Sequence, residues 1–169
     1  MKRIITAVAA TALLAVPATS LGQAPSAKQP DIVQLAASNP KFSTLVSLVK
    51  KAGLAGALSG KGPLTVFAPT NAAFAKVPKS TLDALAADKK LLRSVLTYHV
   101  VKGAVPASKV LTLNGKKVRT LNGATVTIRI TGNAKKSVYV NNAKVLKADL
   151  RASNGVVHAI NRVLIPPAG

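Results

Sequence analysis

The chain has 169 residues, with 24 Lys and Arg set against 4 Asp, no Glu, no Cys and a net charge of +20. That length suits one ordinary domain with a real core rather than two. The missing cysteine excludes a disulfide framework, a thiol nucleophile and a lipid-modified cysteine, while so large a positive field favours anionic partners whatever the fold.

Lys2 and Arg3 precede an apolar run from Ile4 to Val16. This is shorter than the roughly twenty residues that cross a bilayer. Pro17 and then small residues follow, with cleavage points after Ser20, Gly22 or Ala24. Residues 1–22 therefore read as an export signal with its cut between 20 and 24. Residues 23–30 read as a flexible mature N-terminus, 31–166 as the domain and 167–169 as a tail. Removal of the signal leaves 22 basic and 4 acidic side chains, a charge of +18. The expected location is the periplasm or the medium.

Asp31 can cap a helix carrying Ile32, Val33, Leu35 and Ala36, and a second helix is expected over 41–51, stopped by Gly53. Leu64 to Ala68 reads as a strand ended by Pro69, after which Thr70 or Asn71 caps a turn holding Phe74. Two further helices are expected over 80–87 and, capped by Asp88, over 89–97. The period then changes. Strands are expected over 98–101, 117–121, 124–130, 137–141, 145–150 and 156–165. Val126, Ile128 and Ile130 alternate with Thr125, Thr127 and Arg129, which marks a sheet with one wet face. Asn122-Gly123 and Asn154-Gly155 read as hairpin turns with positive φ, and Asn114-Gly115 as a weaker one. Helices followed by mainly antiparallel strands make an α+β fold.

Catalytic chemistry finds little support. Asp31, Asp83 and Asp88 are explained by helix starts or exposed helix faces, which leaves Asp149 as the lone carboxylate in a strand region. His99 and His158 lack companions at metal-ligand spacing, so no metal site and no required cofactor are expected. Ser47 to Lys50 matches Ser-x-x-Lys without its partner motifs, and no phosphate-cradling glycine loop occurs. The reading is therefore a non-enzymatic one. Single-strand nucleic-acid binding needs several aromatic platforms among basic residues, and only Tyr139 has that setting, so such binding is expected to be incidental.

Thr65 to Phe74 reads TVFAPTNAAF, Gly155 to Pro166 reads GVVHAINRVLIP, and Tyr98-His99 lies between them. In this order the segments resemble the two signature boxes and the Tyr-His segment of the fasciclin domain family, over Asp31 to Pro166. Thr65, Phe67, Pro69, Thr70, Asn71 and Phe74 in the first box, and Asp149, Gly155, His158 and Asn161 toward the second, are then architectural. The chain departs from the family at Asn71 and Asn161, where an acidic residue is common. The resemblance implies helices packed on a wedge or sandwich of twisted sheets, and work in adhesion or matrix contact. It also implies Tyr98 and His99 as contact residues, although the residues themselves favour a buried, satisfied pair. Binding to acidic polysaccharide or an anionic envelope surface is expected, with Lys116, Lys117, Arg119, Lys135 and Lys136 sharing a face. The alternative is a carrier of a carotenoid or other lipophilic molecule in an apolar groove. The domain is expected as a monomer or weak dimer.

Overall fold

The computed structural model describes residues 29–60 and 62–167. The expected signal segment, residues 23–28 and most of the C-terminal tail lie outside the described residues. The helices are α1 (Ile32–Ala37), α2 (Ser43–Lys51), α3 (Ala55–Ser59), α4 (Asn71–Ala75), α5 (Lys79–Ala87), α6 (Lys89–Tyr98) and α7 (Ala107–Val110). A 3-10 turn over Pro40–Phe42 leads into α2. The strands are β1 (Leu64–Pro69), β2 (Val100–Lys102), β3 (Lys117–Arg119), β4 (Thr125–Thr131), β5 (Ser137–Val140), β6 (Ala143–Ala152) and β7 (Gly155–Ile160). The α+β reading holds.

Local chemistry accounts for three of the helix starts. Asp31 accepts from the Gln34 N–H while the Gln34 side chain accepts from the Asp31 N–H, a reciprocal capping box. Asp88 accepts from the Lys90 and Leu91 N–H groups at the head of α6. Thr70, rather than Asn71, caps α4.

The strands form one sheet in the order β2-β1-β7-β6-β5-β4-β3. All neighbours are antiparallel except β1 and β7. The sheet curls until its ends meet: Val101 bridges Thr120, and the Leu121 N–H donates to the Val100 carbonyl at 2.8 Å. Joining the ends removes two exposed edges that would otherwise template further pairing. The curl also divides the core in two. Phe67, Tyr98, Val126, Ile128, Val140 and Ile160 fill the inside. On the outside, Val66, Ala68, Val157 and Ala159 meet Ile32, Leu45, Val49, Leu92 and Leu96 from the helices. The helices thus cover the outer face of β1 and β7, while exposed Lys117, Arg119, Thr125 and Arg129 line the outer face of β3 and β4.

Several boundaries differ from the sequence reading. Tyr98 closes α6 and the next strand begins at Val100, because helical hydrogen bonding runs on to the His99 N–H, which donates to the Leu96 carbonyl. The last strand stops at Ile160 rather than 165, where the Asn161 side chain ends the ladder by accepting from the Lys144 N–H at 2.9 Å. Helices α3 and α7 are additional elements. Asn122 and Asn154 do not adopt positive φ, and nor does Gly155; the positive values fall at Asn141 and Asp149 among non-glycine residues. The β6–β7 loop is in fact Ser153-Asn154, flanked by paired Ala152 and Gly155.

Candidate functional site

The Tyr98-His99 pair lies inside the molecule, each residue 2% exposed. The Tyr98 hydroxyl donates to the Thr125 carbonyl and accepts from the Asn141 amide, at 3.1 and 3.0 Å. His99 Nδ1 donates to the Val95 carbonyl at 2.7 Å, and Nε2 accepts from the Leu164 N–H at 2.8 Å. An acceptor nitrogen carries no proton, so the ring is neutral and its tautomer is fixed. Burial pushes its pKa down to about 4, against the raising effect of the Val95 carbonyl. The implied surface contact through this pair therefore gives way to a structural role. Together the two residues tie the end of α6 to β4, to the β5–β6 turn and to the C-terminal segment.

His158 is the second buried histidine. Its ring stacks on Phe67 with centroids 5.6 Å apart, and Nε2 donates to the Val105 carbonyl at 2.7 Å. Nδ1 receives a long 3.4 Å contact from the Asp149 N–H. Burial pushes this imidazole below its usual pKa, opposed by the Val105 carbonyl and by the Asp149 charge. Asp149 thus sits beside a histidine, yet its carboxylate is engaged elsewhere: Oδ1 accepts from the Ala107 N–H at 2.7 Å, capping α7 across the fold. Three of the four ring nitrogens are thus in short hydrogen bonds, and His158 Nδ1 has only the long contact. Among the described residues no group of three or more His or Asp is placed to hold a metal ion.

The first box is a set of braces. Thr65, fully buried, donates to the Gly103 carbonyl and accepts from the Val105 N–H, which fixes the β2–α7 loop. Asn71 accepts from the Thr44 N–H and donates to both the Pro40 carbonyl and the Ser43 hydroxyl. A carboxylate has no hydrogen with which to make those two donations, so an amide suits this position. Phe74 and Phe67 are buried on opposite sides of the sheet. Pro69 closes β1 opposite Ile160.

The basic residues divide between two places. Lys117 and Arg119 project from the outer face of β3, with Lys116 exposed in the turn before them. Lys136 instead lines a groove of about 280 Å³ between α7 and β5–β6, along with Phe67, Val110, Leu111, Val138, Val145 and Leu146. Lys135 is exposed in the β4–β5 loop. The five therefore do not form a single face. A second apolar space, between α1–α3 and β1, has only about 20 Å³ of room.

The fasciclin domain profile matches residues 40–166. The chain belongs to the fasciclin domain family. Among its relatives, Protein sll1483 of Synechocystis is 46% identical over 80% of this chain and 73% of its own length. The cell surface glycolipoprotein MPB83 of Mycobacterium bovis is 39% identical over 89% of this chain and 67% of its own. The immunogenic protein MPB70 of the same species is 40% identical over 83% and 71%. The fold is similar to that of a FAS1 domain pair from the insect cell adhesion molecule Fasciclin I, with a TM-score of 0.66 and 23% identity. That match covers 76% of this chain and 47% of the pair.

Two residues of the fasciclin domain's outer face escaped the sequence reading as site members. Arg129 stands on β4 opposite Tyr139 of β5, and Lys144 of β6 stands opposite Tyr139 on the other side. Arg129 was signalled by its wet-face alternation. Lys144 had no local signal, because its position depends on the β5–β6 register.

Proposed function

We propose that this fasciclin domain is an exported, non-catalytic binding module that adheres to anionic polymers of the envelope or matrix through its basic surface. The observation that carries this reading is the outer face of β3–β6, where Lys117, Arg119, Arg129 and Lys144 project from strands in a stretch that contains no acidic residue between Asp88 and Asp149. Such a face attracts a polyanion without an internal carboxylate to compete for it. The Lys2 to Val16 segment supports export, and a relative named as a cell-surface glycolipoprotein supports an envelope location. No helix of the described residues is long and apolar enough to cross a membrane. Affinity for an immobilised acidic polysaccharide is expected to fall at least tenfold between 0.1 and 1 M salt, as the screening length shrinks from about 10 to about 3 Å. A salt-independent affinity measured by surface plasmon resonance would sink this reading.

A second reading, carriage of a carotenoid or other lipophilic molecule, is favoured by the groove between α7 and β5–β6. Its rim leaves Leu146 57% and Leu111 41% exposed. The groove's 280 Å³ falls just below the roughly 300 Å³ at which small-molecule pockets begin. A slim chain therefore suits it better than a bulky ring system. Leu146→Asp is expected to weaken uptake of a fluorescent acyl probe at least fivefold, and an unchanged titration would remove the groove from consideration.

A further inference from the structure

We propose that the outer face of β3–β6 is a track for a linear acidic polysaccharide. In it, Arg119, Lys117, Arg129 and Lys144 meet successive anionic groups, and Tyr139 stacks on the sugar ring lying between the last two. The proposal rests on the reading that the basic surface binds anionic polymers, and it adds the residues, the path across the sheet and a role for an aromatic ring.

The strand register gives the layout. Arg119 lies opposite Thr125 and Lys117 opposite Thr127 on β4; two residues further along β4, Arg129 lies opposite Tyr139, which in turn lies opposite Lys144. Their strand neighbours Val126, Ile128, Val140 and Ala143 are wholly buried inside the curl. Alternate residues of a strand share a face, so all five of these side chains belong to the outside. Alternate positions are about 7 Å apart along a strand, and neighbouring strands about 4.8 Å apart. The four cations therefore run diagonally across the sheet at intervals of roughly 7, 8 and 10 Å. The widest gap is the one that holds Tyr139.

That arrangement suits a polymer of sugars better than a polymer of nucleotides. A tyrosine ring offers an apolar face that can cover the C–H face of a pyranose, while its hydroxyl stays in water. Thr125, Thr127, Thr131 and Ser137 share the outer face and can donate to or accept from sugar hydroxyls. Single-stranded nucleic acid instead calls for successive aromatic platforms, and this face has one. The charges alone would hold any polyanion. The ring, set between two of them, is what adds a preference for sugars.

The test is calorimetric titration of the full chain with oligogalacturonate, and with neutral dextran as the uncharged comparison. Lys117→Gln with Arg129→Gln is expected to weaken oligogalacturonate binding at least tenfold. Lys50→Gln with Lys51→Gln, which removes the same charge from the far side on α2, should change it less than twofold. Tyr139→Thr should weaken binding about fivefold and keep that effect at high salt, whereas Tyr139→Phe should bind as the parent does. All of the substituted side chains are exposed or half-buried, and thermal melts of each variant check that the fold survives. Equal losses from the α2 pair and the track pair would overturn the track while leaving general anionic binding in place. Failure of the parent protein to bind oligogalacturonate at low salt would overturn both. Tighter binding of poly(U) through the same residues would overturn the sugar assignment.

Discussion

Gly155→Ala is expected to destabilise the protein by about 3 kcal/mol, a large effect for one added methyl group. A Cβ at this position would collide with the Leu64 carbonyl, a backbone atom with no rotamer to yield. Leu64 is the register partner of Gly155 in the parallel β1–β7 pair, and its own N–H donates to the Asn154 carbonyl at 3.0 Å. Moving the Leu64 carbonyl aside would therefore break the start of the pairing on which the central sheet rests. Gly62 is under the same constraint from the other side, since a Cβ there would meet the Asn154 carbonyl. The two glycines let β1 and the β6–β7 loop approach closely. Gly56→Ala provides the contrast. Gly56 lies within α3 with nothing within 4 Å of an added Cβ, so alanine there should stabilise by about 0.5–1 kcal/mol through better helix propensity. Urea unfolding of the two variants should give midpoint shifts of opposite sign, and a Gly155→Ala midpoint within error of the parent would refute the close-approach argument.

Asn154, next to that glycine, shows where the sequence was legible and where it was not. The Asn-Gly pair announces a turn, and a turn is found. Its side chain, however, accepts from the Ile32 N–H and donates to the Leu58 and Gly60 carbonyls, so it fastens the first helix and the end of α3 to the sheet. Partners more than 90 positions away in the chain leave no trace in local periodicity. The same reason hides the parallel β1–β7 pair and the closure of β2 on Thr120. Elements with their own caps and stripes, such as α1, α6 and β4, were readable because the signal lies within them. AGALS and ASKV were not, since a segment of four or five residues is too short to carry a stripe. For the surface, wet-face alternation marked Arg129. The step across to Tyr139 and Lys144 required the Asn141-Asn142 turn, which lacks glycine and gave no hairpin signal, although Asn141 takes φ +54.

Stability is expected to fall by about 2 kcal/mol between pH 7 and pH 5, with His99 as the main source. The folded protein holds this imidazole neutral with a pKa of about 4, because Nε2 must accept from Leu164 and the ring is buried, whereas the unfolded chain titrates near 6.5. Between those two values the unfolded state binds more protons than the folded state. Stability therefore rises with pH across the window; it is complete above 6.5 and is lost progressively as the pH falls toward 4. His158, shifted in the same direction, adds to the slope. With no Glu and only four Asp in the chain, few carboxylates accompany the two histidines. His99→Gln retains a group able to donate to Val95 or accept from Leu164 but cannot gain a proton. It should lower stability at pH 7 while flattening the dependence between pH 5 and 6.5. Urea unfolding at half-unit pH steps would measure both curves. If they ran parallel, the buried imidazole would not be the origin of the acid sensitivity.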